Sequence, residues 1–130
     1  MKATKAQVIA SLREIAALLE YHGESVFKVR AYETAAQSLA AEPASLEELL
    51  ADKGRLTSLR GVGKSIAEII RETAEKGVSS YHLQLRENTP AGLFDLMQVP
   101  GLGTKKIRQL YSTLGIATVE DLEREAAAGT

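Results

Sequence analysis

A chain of 130 residues, 45% hydrophobic and 25% charged, is long enough to bury one self-supporting core and has ordinary globular composition. The absence of cysteine excludes a disulfide framework, a thiolate metal site and a cysteine nucleophile, and two histidines without a carboxylate cluster leave no zinc site. Sixteen basic residues against seventeen acidic ones exclude a polybasic tail, though not a local basic patch.

Val8, Leu12, Ile15, Ala16 and Leu19 recur at helical spacing and predict a first helix. Thr4 and Gln7 have capping-box spacing at its start, and Gly23 can stop it. A second helix is expected from Ser25 to Ala41, ahead of Pro43, with Val26, Val29, Ala35 and Leu39 on its apolar face. Ser45 and Glu48 open a short helix expected to end near Gly54, followed by a helical turn around Leu56 to Leu59. A Gly-x-Gly turn leads into a helix ending near Gly77, and a short helix follows near Tyr81 to Arg86, with Ser79 and Ser80 as caps. Pro90 opens a segment that includes Phe94 to Met97; a second Gly-x-Gly turn, a helix to about Gly115 and a helix capped by Thr118 and Asp121 complete the order. Alternating apolar and polar runs of strand length are missing, so the expected class is all-α. His22 and His82 read as isolated surface or partly buried side chains.

The run Leu59-Arg60-Gly61-Val62-Gly63-Lys64-Ser65-Ile66-Ala67 repeats as Val99-Pro100-Gly101-Leu102-Gly103-Thr104-Lys105-Lys106-Ile107, forty residues later. Each copy reads apolar-x-Gly-apolar-Gly and runs into a helix. Glycine supplies positive φ and close backbone approach. The first amides of a helix have no partner inside it, and together with the helix dipole they suit a phosphate oxygen. Val62 and Leu102 would plug between the flanking helices. Positive charge gathers at the same places: Arg55, Arg60 and Lys64 lie in an acid-free stretch, as do Lys105, Lys106 and Arg108, while Glu42, Glu47, Glu48, Asp52, Glu120, Asp121, Glu123 and Glu125 lie elsewhere. The pattern resembles the helix-hairpin-helix motif, a sequence-tolerant binder of DNA backbone.

A more specific resemblance follows from Val26-Phe27-Lys28-Val29-Arg30-Ala31-Tyr32-Glu33-Thr34-Ala35-Ala36, from the hairpin of Leu59 to Glu68, and from Gly115 to Leu122. In this order they are similar to segments of family X DNA polymerases, the bacterial members most closely, over residues 8 to 126. The resemblance implies an eight-kilodalton-like helical domain at 1–78 with the first hairpin, and a second hairpin subdomain at 79–130. It implies sequence-independent DNA binding that favours gapped or 5′-phosphorylated DNA, through Phe27, Lys28, Tyr32, Arg60, Gly61, Gly63, Lys64, Ser65, Gly101, Gly103, Thr104, Lys105 and Lys106. Phe27 would stack on a template base, and Lys28 and Tyr32 would stand near the 5′-phosphate; the alternatives are core packing for Phe27 and Tyr32 and a solvated surface role for Lys28. A monovalent cation, K or Na, would sit at each hairpin when DNA is bound, on the carbonyls of Thr57, Leu59 and Val62 and on those of Met97, Val99 and Leu102.

Departures from the family narrow the chemistry. Its deoxyribose-phosphate lyase needs a lysine amine where this chain has Ile69, and its usual phosphate lysine is here Ser65, with Lys64 one position earlier. No Asp-x-Asp occurs to hold two metal ions, the aspartates being Asp52, Asp95 and Asp121. The expectation is therefore a DNA-binding module without catalysis, part of a family X polymerase or a stand-alone relative. The alternatives are a lyase using another lysine such as Lys64, and a protein-interaction domain whose hairpins only pack. No apolar run approaches the ~20 residues of a membrane span, and the first residues lack a signal-peptide pattern. The expected setting is a monomer in the bacterial cytoplasm, on the nucleoid.

Overall fold

The computed structural model describes residues 1–89, 95, 96, 99, 103, 106–109, 123 and 124. The chain is all-α, and its named helices are α1 (Lys5–Tyr21), α2 (Val26–Ala41), α3 (Leu46–Ala51), α4 (Lys53–Thr57), α5 (Lys64–Lys76) and α6 (Ser80–Glu87). None of the described helices is long and apolar enough to cross a membrane. The expected segments from Pro90 through Met97, up to Gly115 and beyond Thr118 lie largely outside the described residues.

Local chemistry places most helix boundaries. Thr4 Oγ1 accepts the Gln7 amide at 3.2 Å while Gln7 Oε1 accepts the Thr4 amide at 2.8 Å, the two halves of a capping box. Gly23, at φ +74°, lets the chain reverse after α1, with the Glu24 amide donating back to Leu19 O at 3.0 Å. Ser25 then caps α2 through the Lys28 amide at 3.2 Å. The helix expected to run from Ser45 to Gly54 instead breaks at Asp52. That residue is extended, at φ −120° and ψ 109°, and its Oδ1 accepts the Gly54 amide at 3.0 Å, which restarts the chain as α4. An aspartate favours a cap over a helix interior because its side chain competes for backbone amides. The turn expected over Leu56 to Leu59 is thus the end of α4 and its exit. Ser79 caps α6 as expected, whereas Ser80 is the first helical residue and donates its amide and hydroxyl to Glu72, at 2.9 and 2.7 Å.

α1 and α2 pack against each other and carry most of the core. Leu12, Ile15 and Leu19 meet Ala35, Ala36 and Leu39, with Leu49, Leu56, Val62 and Ile70 closing the cluster. Burial of each such aliphatic side chain contributes about 1.5–3 kcal/mol. One expected member is missing: Val26, the first residue of α2, is 59% exposed. Tyr32 and Ala36 complete the buried face in its place.

α6 is bound to α1 by a charged cluster. Glu14 Oε2 accepts from Arg86 Nε and Nη2 at 2.9 and 2.7 Å. His82, 1% exposed, lies beside them, which corrects its reading as a surface or partly buried side chain. Its Nε2 faces the Glu14 carboxylate off hydrogen-bond geometry, and its Nδ1 has no hydrogen-bond partner. Burial lowers the His82 pKa; the Glu14 charge pulls it up and the Arg86 charge pushes it further down. In the unfolded chain a histidine takes up its proton near pH ~6.5. Below that pH the unfolded state binds more protons than the folded one, so stability present at higher pH is lost as pH falls through the folded value. Urea unfolding between about pH 7.5 and about pH 5.5 should therefore show a falling midpoint that His82→Gln flattens. Equal pH dependence in the two proteins would remove His82 as the cause.

Candidate nucleic-acid interface

The first repeat folds as two helices joined by a tight loop. The amide of Leu59 donates to Leu56 O at 3.3 Å and that of Val62 to Leu59 O at 3.1 Å, which folds the loop back on α4. Gly61 takes φ +79°, and its Cα faces α2 so closely that an added Cβ would lie 2.6 Å from Thr34 Cγ2. Ser38, one turn further along α2, donates its Oγ–H to Arg60 O at 2.5 Å and ties the loop to the same face of that helix. Val62 is buried, as the plug reading expects. Arg60, Gly61, Gly63, Lys64 and Ser65 all remain exposed, so the loop offers its backbone and a basic fringe to the surface.

α5 begins at Gly63, which has no side chain to cap it. The other five named helices each have a side-chain oxygen on an early amide, from Thr4, Ser25, Ser45, Asp52 and Ser79. The first intrahelical bond of α5 runs from the Ala67 amide to Gly63 O at 2.9 Å. The amides of Lys64, Ser65 and Ile66 therefore have no acceptor within the helix.

The second repeat shows the same hydrogen-bond register forty residues on. The Val99 amide donates to Leu96 O at 3.1 Å, matching Leu59 to Leu56, and the Ile107 amide to Gly103 O at 3.0 Å, matching Ala67 to Gly63. Leu96 and Ile107 are buried, while Gly103 and Lys106 are exposed. Gly101, Thr104 and Lys105, and the carbonyls of Met97 and Leu102, lie outside the described residues. Arg108, counted in the basic run, reaches the turn between α1 and α2: its Nη1 would lie 2.4 Å from a Cβ added at Gly23.

Ser65 also links the hairpin to a pocket of about 400 Å³ that it lines with Lys28, Tyr32, Glu68, Ile69, Glu72 and Tyr81. Tyr32 is 6% exposed and stacks on Tyr81, ring centroids 6.2 Å apart and planes at 19°. Burial, and then the Tyr81 hydroxyl as a neighbouring charge and as a hydrogen-bond partner, push the Tyr32 pKa up to about 12. Tyr32 is thus a wall of the pocket and a core residue at once. Phe27, by contrast, is 84% exposed, so the packing alternative does not hold for it. Glu72 is held by the Ser80 backbone amide first and the Ser80 hydroxyl second, and with Lys76 nearby its carboxyl titrates below the usual range. Ile69 faces this pocket without an amine, and Lys64 lines a separate groove with Gly54, Thr57 and Arg71. Lys28 is the one lysine lining the pocket among the described residues. Sequence reasoning missed Glu72 of α5 and Tyr81 of α6, because no motif links either residue to α2. A wider concavity of about 790 Å³ lies between residues 1–5 and 45–47, where Lys5 Nζ already donates to the carbonyls of Glu42 and Ala44.

Comparison with known families gives a match of residues 3–79 to the helix-hairpin-helix domain. The chain belongs to that family. A SAM-like helix-hairpin-helix tandem matches residues 93–129. The helix-hairpin-helix chain is also 38% identical over 119 residues to the DNA polymerase/3′-5′ exonuclease PolX of Bacillus subtilis, an alignment covering 92% of this chain and 20% of the relative. It spans about a fifth of that relative's length and resembles the N-terminal part of a bacterial family X polymerase. Both findings support DNA binding.

Proposed function

We propose that this helix-hairpin-helix protein holds DNA by its backbone, independently of sequence, and favours a gap that carries a 5′-phosphate. The observation that carries the reading is the bare N-terminus of α5, an exposed set of amides behind Gly63 with Lys64 beside it. Amides aimed at a phosphate oxygen position the duplex without reading bases. Gly103 and Lys106 offer a second hold of the same kind. Phe27 is free to stack on a template base, and Lys28, Tyr32 and Ser65 stand where a 5′-phosphate would enter the pocket. The carbonyls of Thr57, Leu59 and Val62 are offered to a K or Na ion shared with the bound phosphate. The Leu59 carbonyl accepts the Val62 amide and keeps a second lone pair for such an ion.

Fluorescence anisotropy against three DNAs tests the reading: a short gap with a 5′-phosphate, the same gap with a 5′-hydroxyl, and intact duplex. Binding should be tightest to the phosphorylated gap. With about 3–5 phosphates neutralised, affinity should fall roughly 40- to 500-fold between about 50 and about 200 mM salt. Lys64→Ala should weaken all three complexes alike and reduce the salt slope by about 0.9. Absence of binding at low salt would remove the DNA reading and leave the hairpins as packing elements.

A further inference from the structure

We infer that Tyr81 is a positioning residue for the terminal phosphate: its ring keeps the Lys28 ammonium over the pocket between α2, α5 and α6, and so gives the protein its discrimination between 5′-phosphate and 5′-hydroxyl ends. The inference rests on the DNA-binding reading above and deepens it. Lys28 is the sole cation among the described residues lining the pocket, so the pocket's attraction for a phosphomonoester depends on where that ammonium stands. Two groups compete for it. Glu24 lies outside the pocket at 3.9 Å, and the Tyr81 ring lies on the pocket side with its centroid 6.0 Å from Lys28 Nζ, within reach of a cation–π attraction.

Tyr81 is itself held firmly. Its ring stacks on buried Tyr32, the preceding Ser80 is bound through amide and hydroxyl to Glu72, and the following His82 and Arg86 meet Glu14 of α1. Glu72, one of two carboxylates lining the pocket, is meanwhile occupied by Ser80 and Lys76, which limits its competition with an incoming phosphate. Residue 81 lies beyond the matched helix-hairpin-helix segment, which ends at residue 79, so α6 adds to the hairpin domain a wall that the motif does not contain.

The test measures affinities for the phosphorylated and hydroxylated gaps in the full chain and in Tyr81→Phe, Tyr81→Leu, Lys28→Met and the Lys28→Met/Tyr81→Leu double variant. Circular dichroism checks the fold of each. Tyr81→Phe keeps the ring and should keep the preference for phosphate. Tyr81→Leu keeps apolar bulk but loses the ring, and should lower that preference roughly 2- to 5-fold, with the hydroxylated gap bound as before. In the Lys28→Met background Tyr81→Leu should change nothing further. An unchanged preference in Tyr81→Leu overturns the inference, as does an equal loss for both gaps, which would mark a purely structural role. A parent chain that binds both gaps equally overturns it too, while leaving the hairpin reading intact. A parent chain that binds no DNA overturns both.

Discussion

Gly61→Ala should destabilise the fold by about 2–5 kcal/mol. A residue with a Cβ at φ +79° meets the left-handed penalty of about 1–2 kcal/mol, and forcing bulk into a filled contact adds about 1–3 kcal/mol. The contact is specific: the new methyl would lie 2.6 Å from Thr34 Cγ2 and 3.1 Å from Thr34 Cβ, with the Ala35 amide nitrogen at 3.5 Å. A rotamer change at Thr34 moves Cγ2 but leaves Cβ in place. Thr34→Ala in the same chain should therefore recover the part due to Cγ2 and leave the backbone penalty. Urea unfolding of the two single variants and the double variant reads this directly. A Gly61→Ala protein within about 0.5 kcal/mol of the parent would mean that the hairpin loop does not sit on α2 as described. Loss of DNA binding in Gly61→Ala would be uninformative for the same reason, since it mixes strain in the fold with damage to the interface.

Gly63→Ser separates the two and should move stability and DNA affinity in opposite directions. Gly63 has φ −85° and ψ −177°, ordinary extended backbone close to that of the capping serine Ser79 at φ −85° and ψ 155°. Nothing lies within 4 Å of a Cβ built there. A serine would fold back on the first amides of α5 and stabilise the helix by a few tenths of a kcal/mol over glycine. The same side chain would then occupy the amides offered to a phosphate. Hydrogen bonds to charged groups contribute about 1.5–3 kcal/mol, so loss of one should weaken DNA binding at least ~10-fold. Gly103→Ser, also with nothing within 4 Å of its Cβ, should act likewise at the second hairpin. Thermal unfolding and anisotropy on one preparation suffice. Full affinity in a stable Gly63→Ser protein would place the phosphate elsewhere.

Charge and stability also meet in the Glu14, His82 and Arg86 cluster between α1 and α6, where His82 is the buried member. His82 and Arg86 share α6 with Tyr81. Loosening the cluster by acid should therefore affect stability first and the pocket wall with it.

Much of this architecture is written locally. The pairs Thr4 with Gln7 and Ser45 with Glu48, the reversal at Gly23 and the left-handed Gly77 at the end of α5 each depend on atoms within a few residues of each other. The forty-residue repeat is of the same kind: a hairpin whose hydrogen bonds join residues three and four apart can be recognised from glycine spacing alone. That much the sequence determined by itself: an all-α chain, two hairpins, and bare helix amides beside lysines. Which side chains face the core or the surface was settled only by packing. Phe27 and Tyr32 are both aromatic residues of α2, yet one is 84% and the other 6% exposed, because α1 and α6 cover only one side of that helix. Helical spacing puts Val26 on the apolar face, yet packing leaves it exposed at the start of α2. His82 looks isolated along the chain and becomes buried only when α6 docks on α1, and Asp52 breaks a helix at a place where periodicity saw none. The pocket that joins Lys28, Ser65 and Tyr81 exists only in three dimensions, because its residues come from three helices that share no local signal.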